Sequence, residues 1–356
     1  MVTIRQAEEK DYPRINDFHN RYYGKNRTLE QFYWGFHNCP AGPSIYFIAE
    51  DGDRVICTNC IIPIEVIDSD GKTWLTGKSE DTLLDPDYWG QPIFYNLYKQ
   101  MLERAAEKGI TAVWGFTPAR KPFKKLGFEL PYPHSQSLMV NQLLPSYRFL
   151  KSLNPENKAL DKLKIMGLCF LSKATSALHG TAKLPKNYTV ARDENTAGAD
   201  LLMKANLEKN PEKFSIYHSE AYQKWRIYNN PNLYKTHTFS FYDSTGSQKG
   251  YMVFNVHPDG VAYVSQSVFH PELPPEDMAG MIGYASRQLF SKEGVAMVRN
   301  WHFSHNSYNR VETRYFQQAG YTFLNRGIDF VWKELLPIPL KPENFILSRM
   351  ATQGII

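Results

Sequence analysis

Ser79-Glu80-Asp81-Thr82-Leu83-Leu84-Asp85-Pro86-Asp87-Tyr88-Trp89-Gly90-Gln91-Pro92-Ile93-Phe94 decides the fold. Its first part completes a run from Trp74 to Leu84 that reads as a strand ending in the apolar pair Leu83-Leu84. Asp85-Pro86 breaks that strand, because proline cannot donate to a ladder and restricts the residue before it. Beyond the break, the spacing predicts a helix from about Gln91 to Lys108, stopped at Gly109. The unit is thus a long strand, a tight loop with one glycine, and a helix that starts at the strand's end.

Outward from this unit the order is regular. Upstream lie a short strand at Val2 to Gln6 and a helix whose buried face carries Ile15, Phe18 and Tyr22. A second helix follows near Leu29 to Phe36. Strands Ser44 to Glu50 and Val55 to Val66 then alternate with turns at Asp51-Gly52-Asp53 and Asp68 to Gly71. Downstream come the strand Thr111 to Phe116, a short helix at Lys121 to Leu126, Gly127 and a strand ending at Val140. The second half repeats the order. It has a strand at Tyr188 to Ala191, helices at Ala197 to Leu207 and Glu220 to Arg226, and strands at His237 to Tyr242, Gly250 to Val256 and Val261 to Phe269. A helix at Pro275 to Phe290, a strand at Val295 to Trp301, a helix at Arg310 to Gln318 and one closing strand, Phe323 to Trp332, complete it. Residue identities differ between the halves, so the repeat is one of architecture. The expectation is an α+β chain of two tandem domains, each a mixed, mostly antiparallel sheet with helices on both faces.

Composition agrees. The chain has 356 residues, 42% apolar and 14% aromatic, enough for two cores at roughly 150 residues each. The stretch Ile165 to Leu178 is too short to span a bilayer and carries Lys173. The N-terminal residues lack the basic-then-apolar pattern of a signal peptide. Four cysteines (Cys39, Cys57, Cys60, Cys169) suit a reducing cytoplasm, which is the expected location. Net charge is +5, yet residues 145–186 carry eight basic residues against Glu156 and Asp161, so the rest of the chain sums to −1. Within that stretch Leu160, Leu163, Gly167, Phe170, Leu171, Ala174 and Leu178 recur at helical spacing and predict a connecting helix with this face packed on the domain junction. An anionic membrane surface and RNA are its other readings. The expected division is a domain at 1–144, a basic helical linker at 145–186, a second domain at 187–336 and a tail at 337–356.

The run from Ser79 to Phe94, with Gly115-Phe116-Thr117-Pro118 and Phe123-Lys124-Lys125-Leu126-Gly127-Phe128 after it, resembles the GNAT superfamily of N-acetyltransferases, in its tandem two-domain bacterial form. The resemblance implies that the amides of the loop and helix start, Trp89, Gly90, Gln91, Ile93 and Phe94, cradle the pyrophosphate of acetyl-CoA or another acyl-CoA, helped by the helix dipole. It also implies that the Leu83 or Leu84 amide polarises the thioester carbonyl. A carboxylate on the same strand, Asp81 or Glu80, serves as base. Strand alternation lets only one of these two face the cleft.

Where the family typically has Tyr-Arg-Gly-Lys-Gly-Ile, this chain has Tyr88-Trp89-Gly90-Gln91-Pro92-Ile93. Trp89 removes a cation, and Pro92 removes an N–H donor but is acceptable in a first helical turn. The corresponding loop of the second half, Phe269 to Asp277, has no glycine and three carboxylates, so acyl-CoA is not expected there. The family's usual tyrosine acid has no match between Arg120 and Lys125. Tyr132 and His134 are potential stand-ins that read first as packed strand residues. Arg226, His302 and Tyr308 are candidate acceptor contacts. Cys57 and Cys60 point to opposite faces of a strand, so no metal is expected.

The function expected is direct transfer of an acyl group from acyl-CoA to an amine of a small molecule, such as an amino sugar or amino acid. The alternatives are an aminoacyl or peptidyl transferase resembling the Fem enzymes, and a non-catalytic binding module on a degenerate scaffold. Nucleic acid enters only through the basic linker, and sequence leaves the oligomeric state open.

Overall fold

A computed structural model describes residues 1–153, 158–179, 184–232, 234–324 and 327–352. Lys183 and Glu156 of the basic stretch, and the last four residues of the tail, lie outside them. The first half comprises β1 (Val2–Gln6), α1 (Tyr12–Tyr23), α2 (Leu29–Phe32), β2 (Ile45–Asp51), β3 (Arg54–Asp68), β4 (Thr73–Leu84), α3 (Ile93–Glu107), β5 (Ala112–Thr117), α4 (Arg120–Lys125) and β6 (Ser135–Val140). The helices α5 (Leu143–Ser152) and α6 (Ala159–Leu178) follow. The second half comprises β7 (Tyr188–Ala191), α7 (Thr196–Lys209), β8 (Phe214–Ile216), α8 (Glu220–Gln223), β9 (Lys235–Asp243), β10 (Gln248–Val256), β11 (Val261–Phe269), α9 (Pro275–Lys292), β12 (Met297–His302), α10 (Ser307–Gln318), β13 (Thr322–Leu324), β14 (Asp329–Glu334) and β15 (Phe345–Ile346).

The fold is α+β with two mixed, mostly antiparallel sheets, as the repeat predicts. One runs β1-β2-β3-β4-β5-β14, with β8 and β15 attached beside β3, and the other β13-β6-β12-β11-β10-β9-β7. The two halves exchange a strand. β14 pairs antiparallel with β5 (Trp332 opposite Trp114), and β6 pairs antiparallel with β12 (Ser137 opposite Asn300). Each sheet is therefore completed by the other half of the chain. The single closing strand expected at Phe323 to Trp332 is two short strands in different sheets.

Helices cover both faces. In the first sheet, α3 packs Leu97, Tyr98 and Met101 on one face. On the other, Ile15 and Phe18 of α1 join Leu202 and Met203 of α7 in a core shared by both halves. In the second sheet, α9 packs Met281, Ile282 and Leu289 on the outer face. The α6 stripe departs from expectation. Leu160, Leu163, Phe170, Leu171 and Leu178 face solvent, and the helix is seated through Cys169, Ser172 and Ser176. Ile165 and Leu168 pack with Cys169 against Leu138 and Val140, and Ser172 Oγ donates to the Leu138 carbonyl and accepts from the Val140 amide, both at 3.2 Å.

Candidate active site

β4 and β5 run parallel and pair only at Gly77 opposite Val113 and Lys78 opposite Trp114. Past these residues they diverge, and Glu80 to Thr82, Leu84 and Gly115 to Thr117 line the cleft between them. A bulge opens this stretch of β4. Thr58 pairs with Leu83 and Cys60 with Glu80, so Asp81 and Thr82 together oppose Asn59. Asp81 has φ +53°, a left-handed conformation that a non-glycine residue adopts at a cost. Thr58 Oγ1 holds the Asp81 carbonyl at 2.9 Å, and Thr82 Oγ1 donates to Asn59 Oδ1 at 3.1 Å.

The bulge corrects the alternation rule. Thr82 sits with Ser79 beside the Tyr98 hydroxyl, 3.3 and 2.7 Å away, whereas strict alternation would separate them. Glu80 and Asp81 both line the cavity instead of one facing away. Beyond the bulge the ladder resumes, since the Asp85 amide donates to the Ile56 carbonyl at 2.8 Å. Antiparallel alternation then spends the Leu83 amide on β3 and turns the Leu84 amide toward the cleft. The Leu84 carbonyl, on that same edge, accepts the Trp89 indole N–H at 3.4 Å.

The loop leads directly to a helix start. Asp85 accepts the Asp87 amide and pairs with Arg54. Gly90 has φ +85° with open space where a side chain would stand. Pro92 caps α3 and lies just before the first turn instead of in it, its carbonyl accepting the Asn96 amide at 3.0 Å. The Ile93, Phe94 and Tyr95 amides thus precede the first intrahelical bond and have no partner within the helix. Gln91 turns its own amide back to the Tyr88 carbonyl at 3.3 Å, which removes it from that set. Trp89 is 66% exposed and stands at the cavity's edge without closing it. The missing loop cation has a neighbour that sequence did not reveal: Lys125 Nζ lies 4.3 Å from the Tyr95 ring centroid and lines the same cavity.

That cavity has a volume of about 1350 Å³ and receives Asn232, Tyr234, His257 and Pro258 from the second half. Typical small-molecule sites are roughly 300–1,000 Å³. At its inner wall Asp81 accepts three hydrogen bonds, from His19 Nδ1 at 2.8 Å, Arg27 Nη2 at 3.1 Å and Tyr46 Oη at 2.5 Å. Burial alone would raise the Asp81 pKa. The Arg27 charge and the His19 and Tyr46 bonds outweigh it and hold the carboxyl well below the usual carboxylate range. Arg27 is itself fixed by Asn16 at 2.7 Å and lies over the Phe32 ring. His19 lines the cavity, and with Nδ1 held by Asp81 its Nε2 is the nitrogen left for a ligand. Glu80 pairs with the buried Lys78. Nothing in the sequence singled out His19; a histidine one residue after the buried Phe18, on a helix packed against β3, was the available signal.

The other predicted residues lie elsewhere. Arg226 is buried away from the cavity and donates to the Met350 and Thr352 carbonyls. His302 is fully buried, with Nε2 2.6 Å from Ser137 Oγ. Tyr308 lines a separate small cavity with Ser267 and Glu312, of about 10 Å³, room for one water. There Ser267 donates to Glu312 at 2.5 Å, and burial pushes the Glu312 carboxyl up to about 7. Tyr132 and His134 are packed residues: the Tyr132 hydroxyl donates to the Pro342 carbonyl, and His134 bonds the Ile328 main chain. Cys57 and Cys60 are free and belong to cores on opposite faces of β3. Among the described residues no group of three or more His, Cys, Asp or Glu could hold a metal ion.

Residues 3–130 match the family model of an acetyltransferase (GNAT) domain. No curated protein matches the chain by sequence. Solved structures resemble nearly all of it. The probable N-acyltransferase of Enterococcus faecalis V583 aligns with a TM-score of 0.62 and 10% identity, covering 94% of this chain and 73% of its own. A GCN5-related N-acetyltransferase from Anabaena variabilis ATCC 29413 gives 0.62 and 11%, with coverages of 94% and 73%. The tandem GNAT protein of the clavulanic acid biosynthesis pathway gives 0.58 and 12%, covering 95% of this chain and 100% of its own. A cleft between diverging parallel strands, an open helix start beside it and a doubled scaffold thus coincide with these likenesses: residues 3–130 match a GNAT acetyltransferase domain, and the chain as a whole shares the fold of the tandem GNAT structure.

Proposed function

We propose that the protein transfers an acyl group, acetyl in the simplest case, from acyl-CoA to the amine of a small molecule such as an amino sugar or amino acid, in the cavity of the first half and in the cytoplasm. The observation that carries this reading is the continuity of the bulged β4 edge with the uncapped amides of α3 in one large cavity. The residues fit the donor. Gly90 leaves space for phosphate to approach the main chain, the amides of Ile93, Phe94 and Tyr95 offer it hydrogen bonds, and Lys125 supplies positive charge. The second-half loop starts its helix with Pro274-Pro275, Glu276 and Asp277, which place carboxylates where an anion would sit.

Acyl-CoA supplies the thioester; the chain supplies positioning and proton transfer. His19 Nε2 takes the proton from the acceptor nitrogen, and Asp81 holds the ring through Nδ1 and stabilises the imidazolium. Asp81, already bonded three times, is a positioning residue and too weak a base to take the proton itself. The freed nitrogen lone pair forms the C–N bond, and the Leu84 amide donates to the carbonyl oxygen as it gains charge. The C–S bond then breaks, its electron pair leaves with sulfur, and the thiolate takes up the second proton that the nitrogen sheds as it becomes an amide. That step needs no strong acid, in keeping with Phe123 where a hydroxyl would otherwise stand. Glu80 offers the incoming ammonium a counter-charge at the cavity wall.

The test is thermal. Acetyl-CoA is expected to raise the unfolding midpoint of the wild-type chain, because a ligand bound only by the native state stabilises it. Gly90→Val, which places a β-branched side chain at φ +85° beside the helix start, is expected to abolish that rise. An undiminished rise in the variant would displace the cradle from this loop. No rise in the wild type would remove the acyl-CoA reading.

A further inference from the structure

We propose that α5 and α6 form an interfacial anchor that lays the exposed stripe of α6 on a bilayer rich in anionic lipid. The helix exposes more large apolar residues than it buries. Ile165, Leu168, Cys169, Ser172 and Ser176 face the protein, and five large apolar residues point out. Leu160, Leu163, Phe170, Leu171 and Leu178 are between 55% and 85% exposed, along one face at helical spacing. Leu144 and Leu153, at either end of α5, add to the same region. Seven of the fourteen exposed large apolar residues among the described residues therefore lie in this one stretch, a concentration that marks an interaction surface.

Charge selects the partner. The stretch that carries the stripe also carries Arg148, Lys151, Lys158, Lys162, Lys164 and Lys173, with Lys164 beside the leucines at helical spacing, against two carboxylates, Glu156 and Asp161, the second of which Lys164 approaches at 3.6 Å. A second copy of the chain would bring these cations onto one another. An anionic surface accepts the leucines and lysines together. With 20 residues α6 is about 30 Å long, and no helix among the described residues is long and apolar enough to cross a membrane, so the helix lies on the surface. The cavity takes no residue from either helix, so docking leaves the acyl-transfer site free.

Flotation of the full chain with vesicles tests the assignment. Wild type is expected to float with vesicles of phosphatidylglycerol and phosphatidylcholine, less so as salt rises, and to stay behind with phosphatidylcholine alone. Lys162→Gln, Lys164→Gln and Lys173→Gln together should weaken partitioning roughly a hundredfold, about fivefold per lysine. Leu163→Ser with Phe170→Ser and Leu171→Ser should abolish it, and the unfolding midpoint should stay at the wild-type value because these side chains are already exposed. Absence of flotation at low salt would overturn the proposal, as would flotation retained by both triple variants. So would RNA binding or an α6-dependent dimer in sedimentation equilibrium without any partition into vesicles.

Discussion

Trp34 and Trp225 exchange hydrogen bonds: each indole N–H donates to the other's main-chain carbonyl at 2.7 Å. Both residues occupy one-turn π segments, Tyr33–His37 and Lys224–Tyr228, that extend α2 and α8. The pairing therefore relates the two halves by a local twofold at the centre of their shared core. Replacing Trp34 with Phe keeps most of the ring but leaves the buried Trp225 carbonyl without its donor. The expected cost is about 1–3 kcal/mol in urea unfolding. Trp34→Phe and Trp225→Phe should be non-additive in a double-mutant cycle, since they share one contact. Additive losses would mean that the two bonds act independently.

His19 and Asp81 separate chemistry from stability. His19→Asn is expected to lower kcat by roughly 10²–10⁴ with little change in unfolding midpoint, because the ring is at the cavity wall. Asp81→Asn removes the carboxylate that orients the ring and also leaves Arg27 buried without its counter-charge. It should lose activity and about 3–5 kcal/mol of stability together. Steady-state kinetics alongside denaturation checks both. Wild-type kcat in the His19 variant would remove the ring from proton transfer.

Lys125 Nζ lies over the Tyr95 ring at the start of α3 and lines the cavity. Lys125→Ala should raise the KM for acyl-CoA up to about fivefold, the weight of one exposed ion pair, with kcat unchanged. The increase should shrink as salt rises. A fall in kcat at constant KM would place Lys125 near the reacting atoms instead of the phosphates.

How far the sequence carried these conclusions depended on what each pattern encodes. Leu83-Leu84-Asp85-Pro86 and Gly90 marked the strand end and the loop, because turn chemistry is local. The bulge was not legible. Asp81 in a left-handed conformation is a tertiary compromise made by Arg27, His19 and Tyr46, residues 35 to 62 positions away. The exchange of β6 and β14 was equally hidden, since alternation identifies a strand but not the sheet that accepts it. In α6 the stripe was plain, yet periodicity says that a helix has two faces and not which of them meets the protein. His302 and Arg226 looked like cleft residues for their chemistry, and burial removed both.

Buried histidines set the acid limit of the fold. Burial pushes His134 and His218 down to about 4 and His302 down to about 3, and His305 is likewise lowered to about 4. In the unfolded chain each ring titrates near 6.5. Between those values the unfolded state binds protons that the folded state declines, so stability is full above pH 6.5 and falls as pH drops toward 4. Each neutral buried ring weakens the fold by about 1–2 kcal/mol at pH 5. Asp81 has the same sign at lower pH: its depressed pKa stabilises the fold above the unfolded value near 3.8, and that contribution is lost on further acidification. The urea midpoint should therefore be flat from pH 8 to 7, decline from 6.5 to 5, and decline again below 4. A midpoint unchanged between pH 8 and pH 5 would mean that solvent reaches these rings in the native state, and that the core around His218 and His302 is more open than their burial implies.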